Sequence, residues 1–319
     1  MLLDPLNQSR TGVIYKARHR SMGRTVALKV LSRQASASPQ FVERFERKIK
    51  ILARLDHPNL VSAYEAGQRQ GTYYLVMQYV DGQDLQATLT KSGPLPVESA
   101  MGYVLQAAQG LAYAHAQGVV HRNIKPNNLM FDRGSVVKVV GFGLAHVEAG
   151  ETFSEVTLGA DLTTHGLAMG TSQYMAPEQA LNAAEADQRA DEYSLGCTLY
   201  ALLTGRAPYP GKGHMQQVMA HRTRPIPSLR EARPDVSQTL DRVFQKMLAK
   251  RAEDRYGSMD EVAAALQACL SGAPEVVATP SAPEVTAGRQ QRETVAEVIF
   301  RKVRGLWRAV LNKGNKQRR

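Results

Sequence analysis

The motif HRNIKPNN at residues 121–128 decides the fold of this 319-residue chain. It follows an apolar stretch with helical spacing at 97–117 and precedes the motif GFG at 141–143. Four other short motifs stand at separate places on either side of it. They are VALK at 26–29, GTSQYMAPE at 170–178, DEYSLG at 191–196 and EDRY at 253–256. One such motif alone would indicate little, whereas six motifs in a fixed order point to one fold.

The stretch before Gly82 has mainly the residue pattern of strands. The predicted strands are residues 12–20, 25–32, 59–67 and 72–80. One helix is predicted at 39–55, where apolar residues recur at helical spacing ahead of His57-Pro58. Before Gly12 the sequence predicts only a short strand that is interrupted by Pro5.

After Gly82 the apolar residues recur mainly at the spacing of helices. The predicted helices are residues 97–117, 187–204, 237–249 and 259–271. The sequence therefore predicts an α+β, bilobal fold, with a small, mainly β lobe at 1–81 and a larger, mainly α lobe at 82–271. Residues 272–293 are rich in Ala, Pro, Val, Thr and Glu without periodicity, which predicts a flexible linker.

In these motifs and their order, the chain resembles the protein kinase family over residues 6–271. The stretches YMAPEQA at 174–180 and SLGCTLYALLTGRAPYPG at 194–211 are similar to the eukaryotic-type Ser/Thr kinases of bacteria. The resemblance implies a reaction that transfers the γ-phosphate of ATP to protein hydroxyls. That reaction needs positioned phosphates, Mg²⁺ to neutralise the developing charge, and a group that accepts the hydroxyl proton.

The resemblance also assigns a set of nucleotide-binding positions. They are Gly12, Ile14, Ala27, Lys29, Met77, Tyr79 and Leu129. The phosphate-covering loop is impaired, because Asn7 and Ser9 stand where the family has the glycines that let the backbone approach the phosphates. The apolar adenine slot has two open interpretations: it binds a nucleotide base, or it only completes the core. Any ATP binding is therefore expected to be weak.

Two groups that the reaction requires are replaced. Asn123 stands where the family has its catalytic aspartate, and a carboxamide does not accept a proton at neutral pH as a carboxylate does. Gly141 stands at the position of the metal-binding aspartate, so Asn128 alone remains as a side-chain ligand and Mg²⁺ is not expected to bind well. Lys125, which in the family contacts the transferring phosphoryl group, is present.

Lys29 stands at the position of the family's phosphate-gripping lysine, whose partner is a glutamate on the following helix. Lys48 occupies that partner's position, so Lys29 is expected to face a second cation. Glu43 and Glu46 lie roughly 140–160° round the helix from position 48 and are expected to point elsewhere.

The positions that the family uses for architecture are kept. His121 and Phe142 match its internal apolar column, and Glu178 and Arg255 match its buried ion pair. Asp191 matches the helix aspartate that bonds the backbone of the catalytic loop. The chain thus has the residues that build the fold and lacks several that carry out the reaction.

This contrast predicts a pseudokinase that acts as a scaffold or allosteric regulator, with a protein partner or client kinase. The alternative is a weakly active Ser/Thr kinase that uses Lys48 in place of the Mg²⁺ charge. The pair Asn123 and Gly141 divides the two hypotheses, because no side chain in the sequence obviously substitutes for both.

The composition is ordinary for a soluble globular protein, with 43% hydrophobic and 22% charged residues. No run of about 18 apolar residues indicates a membrane-spanning helix, and residues 1–10 lack the pattern of a signal peptide. Cys197 and Cys269 form no metal-binding pair and are expected to be buried, reduced thiols. The sequence therefore predicts a cytoplasmic protein.

The C-terminal tail carries much of the net charge of +11, because residues 294–319 hold eight Lys and Arg against the single acid Glu297. Residues 294–311 predict an amphipathic helix. Its apolar face contains Val295, Ile299, Val303, Leu306 and Val310. Such a basic helix is typical of peripheral binding to an anionic membrane, here the inner face. Docking on the fold or on a protein partner is the alternative, and nucleic-acid binding is a third, weaker one.

Overall fold

The computed structural model describes residues 1–9, 11–142, 172–180, 186–211 and 213–272, and only the backbone of Arg44 and Lys48. This part of the chain divides into two compact units. The first contains residues 1–56 and 62–79, and the second contains residues 57–61 and 80–272. The predicted linker from residue 273 and the tail lie outside the described residues, as do Gly143, Gly170 and Thr171.

The first unit is an antiparallel five-stranded sheet with the order β1-β2-β3-β5-β4, accompanied by two helices. The strands are β1 (Leu2–Ser9), β2 (Gly12–Arg18), β3 (Thr25–Leu31), β4 (Ala63–Arg69) and β5 (Thr72–Gln78), and the helices are α1 (Arg33–Ala37) and α2 (Pro39–Leu52). Ser38 caps α2 by accepting a hydrogen bond from the Phe41 backbone, and Pro39 provides a first residue that needs no donor. Phe45 anchors α2 and meets the ring of Tyr73 edge-on at 6.4 Å.

The predicted strands 12–20, 25–32 and 72–80 are confirmed, with ends within two residues, whereas β4 begins four residues later than predicted. The prediction of a short first strand interrupted at Pro5 is wrong. β1 is eight residues long and passes through Pro5, which lies opposite Tyr15 with a register shift on each side. A proline is tolerated here because β1 is an edge strand, where one row of backbone groups needs no partner strand.

The second unit combines a small three-stranded sheet with seven helices among its described residues. Its strands are β6 (Gly82–Asp84), β7 (Leu129–Asp132) and β8 (Val137–Val139). Its helices are α3 (Leu85–Ser92), α4 (Val97–Ala116), α5 (Arg189–Thr204), α6 (His214–Thr223), α7 (Leu229–Ala232), α8 (Gln238–Met247) and α9 (Met259–Ser271). Short 3₁₀ turns lie at Pro126–Asn128, Ser172–Tyr174 and Ala252–Asp254.

Helix α5 is the core of the second unit, because every residue from Ala190 to Leu203 is buried. Helix α4 packs against both α5 and α9. All four helices predicted for this region are confirmed with ends within two residues, while α3, α6 and α7 escaped prediction. Of the two cysteines, both free, Cys197 is buried as predicted, but Cys269 is only partly buried. In the part of the chain that is described, no helix is long and apolar enough to cross a membrane.

Candidate active site

The backbone of the catalytic loop is held by Asp191, near the start of α5. One carboxylate oxygen of this fully buried side chain accepts hydrogen bonds from the His121 backbone at 2.7 Å and from His115 Nε2 at 2.8 Å. The other oxygen accepts one from the Arg122 backbone at 2.6 Å. Arg122 has a φ of 65°, in the left-handed region that side chains rarely adopt. The two backbone bonds of Asp191 hold this unusual turn, and with it the position of the next residue, Asn123.

Asn123 stands at the position where the family has its proton acceptor. Its backbone N–H donates to His121 Nδ1 at 3.2 Å, and this bond holds Asn123 in its place within the loop. Its side-chain oxygen is buried and has no hydrogen-bond partner among the described residues. The side chain borders a small cavity whose other lining residues are Arg122, Ile124, Tyr174, Met175, Gln179 and Ser194. A neutral amide therefore stands where a carboxylate would have to accept a proton.

Asn128, the remaining candidate metal ligand, is used to close the loop. Its side-chain Nδ2 donates to the Asn123 backbone carbonyl at 2.7 Å, and the backbone carbonyl of Asn128 accepts from the Val140 N–H at 2.9 Å. Its Oδ1 is left beside Gly141, where an added Cβ would lie 3.2 Å away. Gly141 has a φ of 86°, so the missing side chain would have emerged next to this oxygen.

These residues do not fit a magnesium ion. Mg²⁺ requires near-octahedral oxygen ligands and is usually held by at least one carboxylate, whereas the loop offers one neutral amide oxygen and a glycine. No group of three or more His, Cys, Asp or Glu side chains suited to a metal occurs in the described part of the chain. Lys125 is half-buried and adopts an extended backbone just before the 3₁₀ turn that carries Asn128.

His121 and Phe142 pack together inside the second unit, with ring centroids 4.6 Å apart in an edge-to-face arrangement. His121 Nε2 lies 3.0 Å from the Val140 carbonyl, and its Nδ1 accepts the Asn123 bond. Burial lowers the pKa of His121, against the opposing influence of the Asp191 carboxylate. A neutral ring that donates through Nε2 and accepts through Nδ1 satisfies both contacts. His121 therefore has a structural role: it links the Val140 carbonyl to the backbone of Asn123.

Glu178 and Arg255 form a two-pronged ion pair with N···O distances of 2.7 and 2.9 Å. The Arg255 guanidinium also donates to the carbonyls of Ala249 and Arg189, each at 2.8 Å. It lies over the ring of Tyr193 at 4.8 Å from the centroid. An ion pair, carbonyl hydrogen bonds and an aromatic ring thus hold the buried Arg255 guanidinium. Through them Arg255 links the segments that precede and follow α5.

In the first unit, several of the residues predicted to bind the nucleotide lie on one face of the sheet. Ile14 pairs with Lys29 and Ala27 pairs with Met77, and Lys29 and Ala27 are two residues apart on β3. Lys29 is buried. Tyr79 ends this unit, and Leu129, at the start of β7, is fully buried in the second unit.

The predicted opposition of Lys29 and Lys48 remains a prediction, because the side chain of Lys48 on α2 lies outside the described part. Glu43 forms an exposed ion pair with Arg47 at 2.9 Å. Glu46 lies near Lys50 and Tyr73, and burial raises its pKa.

Gly12, the one glycine kept in the phosphate-covering loop, has a structural reason to be there. A Cβ at this position would lie 2.0 Å from the Val30 carbonyl oxygen on the neighbouring strand, so only glycine fits. At the other end of the turn, the Ser9 hydroxyl lies 3.1 Å from that of Thr11 and donates to the Gly12 carbonyl at 3.2 Å. These bonds link Ser9 at the end of β1 to Thr11 and Gly12 at the start of β2.

Two supporting residues escaped the sequence analysis. His115, at the end of α4, bonds Asp191 from a distant part of the sequence. Gln179 donates to the Arg122 carbonyl at 3.0 Å and accepts from the Ala176 backbone at 3.1 Å, which ties two motifs together. The sequence offered one signal for the role of Gln179, which is its position directly after the motif residue Glu178. It offered no signal for the role of His115.

Comparison with known proteins agrees with this architecture. The family model for the protein kinase domain matches residues 5–267. The chain is 36% identical over 266 residues to serine/threonine-protein kinase PknH of Mycobacterium tuberculosis, covering 83% of this chain and 41% of that protein. It is 37% identical over 277 residues to PknB of Mycobacterium leprae, covering 85% and 42% respectively. The chain therefore spans less than half the length of these curated relatives.

A solved structure is also similar. The crystal structure of the Mycobacterium tuberculosis PknI kinase domain superposes with a TM-score of 0.65 at 29% identity, covering 84% of this chain and 95% of that domain. The kinase fold predicted from the sequence is confirmed, and its relatives are bacterial Ser/Thr kinases. This chain belongs to the protein kinase family.

Proposed function

We propose that this member of the protein kinase family is a pseudokinase, which acts as a scaffold or allosteric regulator by binding a protein partner such as a client kinase. The observation that carries the proposal is the arrangement of three residues in the second unit. Asn123 presents an amide in place of a base, Gly141 presents no ligand, and Asn128 uses its amide to brace the loop. Each loss removes a different requirement of phosphoryl transfer.

The size of the losses supports the proposal. A positioned general base contributes typically about 10²–10⁴ in rate. A bound metal adds several kcal/mol of stabilisation to the developing charge, so the two losses multiply in the rate. The Asp191 network still places the loop, but placement alone supplies neither a proton acceptor nor a divalent cation.

A phosphotransfer assay on the full chain tests the proposal. With labelled ATP, Mg²⁺ and a generic protein substrate, incorporation should not exceed that of the matched variant Lys29→Ala. Incorporation well above background that is abolished by Lys29→Ala would instead establish the weakly active Ser/Thr kinase.

Nucleotide binding provides a second, independent measure. Ile14, Ala27 and Met77 retain an apolar face on the first unit's sheet, so weak binding of ATP through its base is expected. The affinity should be nearly the same with and without Mg²⁺, because Asn128 and Gly141 supply at most one neutral amide oxygen from their side chains. Tight binding that requires Mg²⁺ would contradict the proposal.

We also propose that residues 294–319 hold the protein at an anionic membrane surface on the cytoplasmic side. Support comes from the eight basic residues and the apolar stripe of this segment. Basic residues near such a surface contribute on the order of 1 kcal/mol each. Co-sedimentation with anionic and neutral vesicles compares the full chain with a chain ending at residue 293. Equal sedimentation of both, together with a lower melting temperature of the shorter chain, would favour docking of the tail on the fold.

A further inference from the structure

The exposed apolar residues of the described chain are concentrated at one place on the first unit. Among all large apolar side chains that are exposed there, five of eight lie on β1, at its start or on the turn between β2 and β3. They are Met1 at 71% exposure, Leu2 at 53%, Leu3 at 41%, Leu6 at 47% and Met22 at 46%. Scattered single exposures are ordinary, but a cluster of this kind marks an interaction surface.

A surface groove of about 350 Å³ adjoins this cluster. Leu2 borders it and lies opposite Ala17 in the β1–β2 ladder. Its floor is the buried apolar group Ala17, Val26 and Val76, with Leu28 and Tyr74 packed against it. Met1 and Leu2 therefore join the groove in one apolar surface within the first unit, and Leu3 and Leu6 are exposed farther along the same strand.

Three arginines lie beside this surface, and one exposed acid, Asp4, lies on β1. Arg18, Arg20 and Arg24 are all exposed on β2 and the following turn, and Arg24 lies over the ring of Tyr64 at 3.8 Å. The nearby acid Glu65 pairs with the His19 ring at 3.2 Å and accepts a hydrogen bond from the Tyr74 hydroxyl at 3.0 Å. We call this surface the N-terminal patch. It consists of Met1, Leu2, Leu3, Leu6, Met22, Arg18, Arg20, Arg24 and the adjoining groove.

The charge of the N-terminal patch decides which occupant fits. A second copy would meet the patch in a symmetric interface that sets the same arginines against one another. The tail at 294–319 is itself basic and would be repelled. Addition of a partner strand to β1 is opposed by Asp4 and Pro5 on the free edge. Nucleic acid would be bound through phosphates and would leave the leucines without a role.

We propose that the N-terminal patch binds an anionic lipid surface, with its leucines and methionines at the headgroup boundary and its arginines paired with lipid phosphates. Exposed apolar side chains beside several arginines are a combination typical of interfacial binding, and the three arginines outnumber the two acids Asp4 and Glu65. The proposal goes beyond the pseudokinase function and does not depend on it. It adds a lipid-binding element in the first unit to the one proposed in the tail.

The test separates the patch from the tail by working in two backgrounds of the full chain. One has the natural tail, and the other carries Arg301→Gln, Arg304→Gln and Arg308→Gln. In each, Leu2→Gln with Leu6→Gln is compared with the control pair Met215→Gln with Met219→Gln on α6. The control residues are exposed to similar extents, 47% and 45%, at a distance along the chain from the patch. Flotation uses phosphatidylcholine vesicles with and without phosphatidylglycerol.

In the neutralised-tail background, the leucine variant should lose at least about tenfold in affinity for anionic vesicles. The reason is that two apolar side chains, which are exposed in the free protein and buried in the lipid, are replaced by polar ones. The methionine control should bind as its parent does. Arg18→Gln with Arg20→Gln should weaken binding by about fivefold per arginine and reduce its salt sensitivity. This arginine pair remains informative if the leucine variant proves unstable in a thermal melt.

Three outcomes would overturn the proposal. They are complete loss of binding on neutralising the tail, equal affinity of the leucine and methionine variants, and equal affinity for neutral and anionic vesicles. The first of these would leave the tail as the sole lipid-binding element. If binding instead survives neutralisation of the tail and requires Leu2 and Leu6, the patch is established as a lipid-binding element separate from the tail.

Discussion

The framework around Asp191 and the reaction positions next to it differ in how completely their polar groups are used. Asp191 accepts three hydrogen bonds, and Arg255 has two carboxylate and three carbonyl acceptors. Asn123, by contrast, buries an oxygen that has no partner in the described chain, and Gly141 contributes no side chain. Groups that hold the fold are costly to lose, whereas groups that only perform the reaction can be lost while the fold persists.

The largest expected effect comes from breaking the framework at its centre. Asp191→Ala leaves two backbone N–H groups and the His115 ring without their acceptor in a buried site. We expect a loss of about 3–5 kcal/mol in the free energy of unfolding. Urea denaturation measures it. The control Asp81→Ala removes an exposed pair with Arg133 and should change stability by about 0.5 kcal/mol or less. Similar losses in both variants would show that Asp191 is not a structural centre.

A somewhat smaller loss is expected from Glu178→Ala. Its partner Arg255 has a fully buried guanidinium, while the Glu178 side chain is 28% exposed. Because water can partly replace the carboxylate, we expect a loss of about 2–3 kcal/mol, below the full cost of stranding a buried charge. The matched control Glu253→Ala breaks an exposed pair with Arg251 and should cost at most about 1 kcal/mol. Denaturation midpoints of the two variants that coincide would contradict this expectation.

Glu192 tests the contrast between the framework and the reaction positions, because it belongs to the framework and yet only one of its carboxylate oxygens accepts a hydrogen bond among the described residues. It accepts one bond from the Tyr256 backbone at 3.1 Å, its other oxygen has no partner in the described chain, and burial raises its pKa to about 8. The folded state therefore holds a proton that the unfolded state releases near pH 4.5. Its stabilising contribution is complete below pH 4.5 and is lost as pH rises through about 8.

The variant Glu192→Gln should remove that part of the pH dependence. Between these pH values the slope of stability against pH should become less negative by up to about 1.4 kcal/mol per pH unit. Glu98→Gln, at an exposed position in the first turn of α4, serves as the matched control. Unfolding free energies measured from pH 5 to about pH 9 make the comparison. An unchanged slope in Glu192→Gln would show that another group titrates.

The smallest effect on stability is expected from rebuilding the reaction groups. Gly141→Asp introduces a side chain at positive φ beside Asn128 Oδ1, for which we expect a cost of about 1–2 kcal/mol. Asn123→Asp places a carboxylate where the amide oxygen is buried without a donor among the described residues, so we expect a cost of about 1–2 kcal/mol. Together they should create Mg²⁺-dependent ATP binding, measured by titration, without ordinary kinase activity. Adding Lys48→Glu should raise activity further. If the two aspartates alone gave ordinary rates, the assignment of Lys48 would be wrong.

Much of the fold was predictable because its signals are local in the sequence. The alternation of β3 and the periodicity of α4 and α9 are set by nearest neighbours, and their ends were predicted within two residues. Helices α3 and α7 were missed because eight and four residues are too few to establish a period. Asp84 and Ser228, which cap them through side-chain bonds, were the signals available.

The sequence by itself determined the kinase fold, through six ordered motifs, and the replacements at Asn123 and Gly141, because residue identity needs no coordinates. Only the tertiary structure decided why Gly12 is kept, which is the approach of the Val30 carbonyl from another strand. It alone linked His115 to Asp191 and exposed the leucines of β1 beside an apolar groove. These features depend on atoms that are distant in the chain and meet only on folding, so local periodicity carries no record of them.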